Sequence, residues 1–252
     1  AGADRRRPSD ADIPHITVRG GLRAAVREVL RLSPRAPRPS RDVRGRKSEI
    51  VDGQGRRNIF WHRGNAVPDV TDLNETLLSS AVKVLHLDGL HLMPAITAAK
   101  IARSLKVVTV LDAGTMRLGL ERLLPLIDHL VVSENFARQI FGRHDPQATL
   151  RFLAGYGAAN VTITCGESGS VSIDNTGSVF QQQAFEMDVV DTTGCGDVFH
   201  GGYIYGLLQG WEIQQTIRFA TACAALKTRA LGGRTAIADL PAVEAFLRTR
   251  SD

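Results

Sequence analysis

Apolar and polar positions along most of this 252-residue chain switch repeatedly between two spacings. Short continuous apolar runs occur in "AVKVLHLDG" (81–89), "KVVTVLDAG" (106–114), "DHLVVS" (128–133) and "ANVTITCG" (159–166). Runs of this length bounded by Gly or Asp are the pattern of strands buried on both faces of a parallel sheet. Between them, helical spacing appears in "PAITAAKIARSL" (94–105), "LGLERLLPLI" (118–127), "ENFARQIFG" (134–142) and "PQATLRFLAGYG" (146–157). The pattern predicts a helix over each, two of them opening on Pro, which is pre-set for a first helical turn. "SEIVDGQGRRNIFWH" (48–62) reads as strand, Gly-rich turn, strand, and "GSVSIDNTGSVFQQQAF" (169–185) as a hairpin with Asn-Thr-Gly at its tip. Beyond "VVDTTGCGDVFHGGYIYGLLQG" (189–210), a long helix is expected over 212–230 and a last one over 241–250. In the first 47 residues only "GGLRAAVREVLRL" (20–32) has helical apolar spacing.

Strands alternating with helices predict an α/β fold with a doubly wound, mostly parallel sheet. Ligands of such sheets sit beyond the carboxyl ends of the strands. That places Asp88-Gly89, Asp112–Gly114, Ser133-Glu134, Cys165-Gly166 and Asp191–Asp197 along one rim.

Charge and composition divide the chain at about the same place as the pattern. Residues 1–47 hold 13 Lys+Arg against 5 Asp+Glu, and the remainder 18 against 21, so the basic character belongs to the first fifth. Five of the ten prolines lie there, and no Phe, Trp or Tyr. Arginine clusters can neutralise phosphates, but a segment without aromatic rings lacks the stacking chemistry of a nucleic-acid arm. An Arg/Pro-rich lead-in is the simpler reading, and nucleic acid is not expected as a partner. No run of about 18 apolar residues suggests a membrane span, no apolar core of a secretory signal opens the chain, and three dispersed cysteines form no disulfide or zinc pattern. A cytoplasmic protein is expected.

The chemistry concentrates in "DTTGCGD" (191–197). A helix N-terminus offers unpaired N–H donors and a positive dipole end. Glycines on either side of Cys195 let the backbone turn tightly and approach a ligand, so the turn reads as a nest for a phosphoryl group. Asp197 beside it can take a proton from an attacking hydroxyl. An ordinary N-cap would explain one aspartate but not the second aspartate, the threonines and the Gly-x-Gly bracket together.

"DTTGCGDVFHGG" resembles the C-terminal signature of the ribokinase-like (PfkB) carbohydrate kinases, with Cys195 where Ala is usual. The resemblance implies that Asp197 is the catalytic base and that Gly194, Cys195 and Gly196 form the anion hole. It implies that Asp191 and Thr193 help hold a monovalent cation. "VTITCGESGSV" is similar to the family's strand and Thr-x-Gly-x-x-Gly loop, which implies nucleotide contacts at Thr164, Gly166 and Gly169. "TIRFATACAALKTRALGGRTAI" resembles the adenine-side helix and cation loop, placing Thr221 near nucleotide and Gly232 near the cation. Ala236 stands where a cation-loop serine is often found, which leaves potassium open. A dinucleotide fingerprint in "CGESG" is excluded because a strand follows it, and a P-loop because none of the five lysines follows a glycine.

The resemblance covers about 48–247. It implies an ATP-dependent kinase that transfers the γ-phosphoryl group to a sugar hydroxyl with Mg2+ and ATP. A small β lid would lie at 48–66, the catalytic core at 67–252, and an atypical segment at 1–47. "SENFA" is closer to a ketohexokinase-like branch. Glu134 stands where the family's magnesium-ordering Asn-x-x-Glu is expected, and serves either magnesium through water or the helix dipole. Trp61 and His62 would cover a sugar or seal a lid-to-lid homodimer. His86, Asp88 and His91 are read as core or rim residues rather than metal ligands, because the set supplies too few ligands for a structural metal site. The sugar-binding strand and Gly-Gly-Asn segment expected before the lid have no counterpart in 1–47, as in a divergent or truncated start. The alternative is therefore a catalytically impaired homologue that binds nucleotide or a partner and lacks a complete sugar site.

Overall fold

Two sheets organise the chain, as seen in a computed structural model that describes residues 29–31, 46–51, 57–62, 69–74, 82–143 and 145–250. The larger has seven strands: β1 (Val29–Arg31), β4 (Val84–Leu87), β5 (Val108–Ala113), β6 (His129–Ser133), β7 (Asn160–Thr164), β8 (Ser170–Asp174) and β9 (Val179–Gln182), in that spatial order. β1, β4, β5, β6 and β7 run parallel, and β8 and β9 close one edge antiparallel. The smaller sheet is the hairpin of β2 (Arg46–Val51) and β3 (Arg57–His62), as the 48–62 pattern predicts. The side chains of Trp61 and His62 lie outside the described residues.

Because side chains alternate across a strand, each central strand feeds two cores. Leu85, Leu87, Leu111, Ala113, Leu130 and Val132 face one way, against α1 (Leu92–Ser104), α2 (Glu134–Phe141) and α3 (Pro146–Ala154). Val84, Val110 and Val131 face the other way, against Phe199, Tyr203 and Ile204 of α4 (Cys195–Leu208) and Ile217 and Ala220 of α5 (Ile213–Lys227). α6 (Leu240–Arg248) packs Val243 onto the outer side of that pair. Helices on both faces of a mostly parallel sheet are the expected doubly wound arrangement. Among the described residues no helix is long and apolar enough to cross a membrane.

Two elements differ from the pattern. The expected helix over 20–32 includes Val29–Arg31, which is instead a strand pairing parallel with Val84–His86; the rest of that helix lies outside the described residues. Val29 and Leu30 suit the edge of a buried sheet, and the backbone of β4 supplies the partner that helical spacing cannot anticipate. The helix expected over 118–127 breaks into two 3-10 turns, Leu120–Arg122 and Leu124–Leu126. Gly119 enters with φ +81°, and Pro125 withdraws an amide in the second turn.

α4 and α5 touch unusually closely through glycines one turn apart. A Cβ on Gly202 would lie 2.9 Å from the Ala220 Cα, and one on Gly206 2.6 Å from the Thr216 hydroxyl. On the sheet side, Tyr203 is fully buried, and its hydroxyl meets Asn160 Nδ2 at 2.9 Å and His129 Nδ1 at 2.9 Å. This contact ties the middle of α4 to β6 and β7.

Candidate active site

The carboxyl ends of β4 to β7 and the N-terminus of α4 meet at one rim. The chain reaches it through Val190 and Asp191, whose amides donate to the Thr228 carbonyl at 2.8 and 3.0 Å. Asp191 is 1% exposed, and its carboxylate accepts the Thr193 amide at 2.8 Å and the Gly232 amide at 2.7 Å. Burial would raise its pKa, but hydrogen bonds from Thr193 and Gly232 and the Lys227 ammonium outweigh burial and hold it below the ordinary carboxylate range. Asp191 is thus a fixed negative charge that joins three segments.

Gly194 then turns left-handed, φ +77°, and α4 begins. A Cβ at Gly194 would lie 2.9 Å from the Gly233 carbonyl oxygen, so this turn rests directly on the 230–233 loop. The first intrahelical bond runs from the Val198 amide to the Gly194 carbonyl at 2.9 Å. The amides of Gly196 and Asp197 precede it, as helix-starting donors do. The Cys195 amide turns back to the Thr192 carbonyl at 3.2 Å. Asp197 stands half-buried in this first turn, and Gly196 is exposed. Cys195 forms no disulfide.

His200 supports the turn from below. Its Nδ1 lies 2.7 Å from the Gly196 carbonyl and 3.6 Å from Asp112 Oδ2, and its Nε2 lies 3.3 Å from the Val131 carbonyl. His86 packs its ring 5.5 Å from that of His200. His86, Asp112 and His200 therefore present ligand-type atoms within 4.8 Å of one another, whereas the sequence set His86 beside Asp88 and His91. Carbonyl oxygens lie against both His200 nitrogens, a neutral ring donating to one of them, and the ring thereby braces α4 against the sheet.

The expected nucleotide side gathers on the neighbouring strand ends. Thr164 ends β7 and donates its hydroxyl to the Val132 carbonyl at 3.3 Å. A 3-10 turn over Gly166–Ser168 follows, with Gly166 exposed at φ +59° and Gly169 buried at φ +83°. A Cβ on Gly169 would fall 2.0 Å from the Gln182 carbonyl, so only glycine lets this loop lie against the strand end. Ser133 pairs with Thr164 across the sheet, which sets Glu134, the first residue of α2, beside the loop. Burial first, and the Glu134 carboxylate second, push the Cys165 thiol up to about 11, which favours the thiol over the thiolate at neutral pH. Thr221 is buried in α5 and donates to its own helix at Ile217, 2.8 Å.

His200 and Lys227 carry weight here that the sequence pattern did not assign, and Asp112, set on the rim by the pattern, meets His200. The available signals were a lone histidine in the apolar "VFHGGYIYG" and a lone lysine closing "ATACAALK".

A model of the pfkB family carbohydrate kinases matches residues 44–240. The chain belongs to that family. It is 32% identical over 125 residues to an ATP-dependent 6-phosphofructokinase of Thermoanaerobacterium thermosaccharolyticum, covering 50% of this chain and 38% of that protein. Over 130 residues it is 35% identical to a 2-dehydro-3-deoxygalactonokinase of Haloferax volcanii, covering 51% and 40%. The chain thus spans less than half the length of these family members. The fold is ribokinase-like. It superposes on the Arabidopsis thaliana ribokinase complexed with ribose and ATP at a TM-score of 0.71 and 22% identity, covering 81% of this chain and 69% of that one. The Thermotoga maritima ribokinase gives 0.68 at 24% identity, covering 81% and 69%.

Proposed function

We propose that the chain is an ATP-dependent carbohydrate kinase that moves a γ-phosphoryl group to a sugar hydroxyl. Residues 67–252 form its catalytic core and 48–66 its lid. One observation carries the reading: a carboxylate and helix-starting amides share the first turn of α4, which Gly194 aims at the rim where the strands end. Asp197 accepts the proton of the attacking hydroxyl, and the 194–196 turn faces the negative charge that develops on the transferring group. The helix dipole adds to that field. His200 holds the Gly196 carbonyl, so the turn is set before substrate arrives.

Thr164 and the 166–169 loop would meet the nucleotide, with open space beside Gly166 for its approach and Gly169 seating the loop on the 182–184 backbone, and Thr221 would serve the same ligand from α5. Glu134, the first residue of α2, would hold a Mg2+ that lowers the negative charge of a bound ATP, whose γ-phosphoryl group would be the one transferred. Phosphoryl transfer asks the protein mainly for positioning and electrostatics, and both are present in this turn.

The experiment is ADP formation with a panel of ketoses, aldoses, sugar acids and sugar phosphates, beside ATP binding by calorimetry. Asp197→Asn should cut turnover about 10²- to 10⁴-fold, the worth of a general base, while ATP binding persists. A folded Asp197→Asn chain with full turnover refutes the base assignment. ATP binding with no turnover on any acceptor favours the catalytically impaired homologue.

A further inference from the structure

Lys227 is the deepest charge of this rim, and nothing above uses it for catalysis. It closes α5 and is fully buried. Its Nζ donates to the main-chain oxygen of Asp191 at 3.0 Å and to that of Ala230 at 3.4 Å, and lies 4.0 Å from Asp191 Oδ2. An ammonium has three donors and no acceptor; two of these oxygens accept a hydrogen bond and the third, the carboxylate oxygen, is an ion-pair contact. One belongs to the segment leading into the Gly194 turn, another to the 230–233 loop, and the third to the carboxylate that binds both.

This is where family resemblance expects a monovalent cation, among Asp191, Thr193 and Gly232. The residues present do not fit one. The main-chain oxygens of Asp191 and Ala230 are already engaged by Nζ, and the Asp191 carboxylate by the amides of Thr193 and Gly232. Ala236 brings no hydroxyl to the loop, and the buried Thr193 Oγ1, which has no hydrogen-bond partner among the described residues, adds a single oxygen, too few for a coordinated ion.

We propose that the Lys227 ammonium is the chain's own tethered monovalent cation, fixing the 191–194 turn against the 230–233 loop without an exchangeable ion. An exchangeable ion stabilises its site only to the extent that its concentration exceeds its Kd, and then with the logarithm of that ratio. A buried, covalently attached charge is present at every ionic strength and is little screened. Lys227 is a positioning residue that acts through Asp191. The inference rests on the kinase reading only for its consequence that turnover does not depend on potassium.

The test is thermal unfolding in potassium, sodium and tetramethylammonium chloride at equal ionic strength, with thallium(I) NMR as a direct binding readout. The wild-type chain should melt within about 1 °C in all three salts, a small interval for a chain of this size, and should bind no thallium saturably. Lys227→Ala vacates the oxygens. It should melt lower, and regain roughly 3–6 °C in potassium over tetramethylammonium once potassium is about tenfold above its Kd. A potassium-specific rise of that size in the wild type, or saturable thallium binding to it that potassium displaces, overturns the proposal. So does a folded Lys227→Ala chain indifferent to potassium. Should that variant not fold, the wild-type melting and thallium results decide alone. A wild type that turns over nothing in any salt would sink the kinase reading and leave these measurements standing.

Discussion

Acidification should weaken this fold well above the range where carboxylates protonate, because of His129. Its ring sits at the start of β6 against the buried Tyr203, and burial lowers its pKa from 6.5 to about 4, partly opposed by Asp128. The hydrogen bonds agree with a neutral ring. Asn160 Nδ2 donates to the Tyr203 oxygen, which leaves the tyrosine proton for His129 Nδ1. The unfolded chain takes up its proton near 6.5 and the folded chain only near 4. Between those values the unfolded state binds more protons, so stability is complete above 6.5 and is lost as pH falls toward 4. The full shift corresponds to about 3 kcal/mol, and the part realised between about pH 7.5 and 5 to about 2 kcal/mol. Urea unfolding at those two pH values, followed by circular dichroism, measures it. His129→Gln keeps an acceptor for Tyr203 and removes the titration, so about 2 kcal/mol of the pH dependence should disappear. An unchanged dependence in the variant refutes the reasoning. So does an NMR titration of the folded wild type in which His129 protonates near its ordinary 6.5.

Other substitutions probe the turn and its supports. Gly194→Ala forces a Cβ into a left-handed turn and against the Gly233 carbonyl; strain of about 1–2 kcal/mol should shift the loop, and turnover should drop on the order of 10²-fold. Steady-state ADP formation on the folded variant checks it, and wild-type turnover would show that the turn has slack. Gly202→Ala meets the Ala220 backbone rather than a movable side chain. Overpacking of about 1–3 kcal/mol should exceed the gain in helix propensity and lower the melting temperature by several degrees, whereas a neutral or stabilising result would mean that α5 can retreat.

The sheet was legible because its parallel strands are continuous apolar runs closed by Asp or Gly, and Val84–Leu87, Val108–Ala113 and His129–Ser133 fall where that pattern puts them. The mouth of α4 was legible because glycine, threonine and aspartate crowd into seven consecutive residues. What the pattern could not give are pairings through space. Asp191 and Lys227 are 36 residues apart, and His129 and Tyr203 are 74 apart. A lysine at the end of an apolar helix reads as a favourable solvated charge near the dipole's negative end. Only the 230–233 loop folding over it turns that surface charge into a buried one. Val29–Arg31 was missed for the same kind of reason, since a three-residue strand is defined by its neighbour.

The aim of Asp197 follows from how α4 is held. Successive helix residues are about 100° apart, so Gly196, His200, Tyr203 and Leu207 form one row, and Val198, Gly202, Tyr205 and Gly206 lie nearly opposite. The first row is pinned to the sheet through the Gly196 carbonyl and His200, the Val131 carbonyl, and the Tyr203 hydroxyl. The second is pressed onto α5 with no room for a Cβ at Gly202 or Gly206. A helix clamped on two sides cannot rotate about its axis, and Asp197 falls between the two rows, facing neither. Its carboxylate can therefore be half-exposed and still have a fixed direction. On the proposed reading of Asp197 as the base, that would reconcile two needs of such a group, access for substrate and a fixed position.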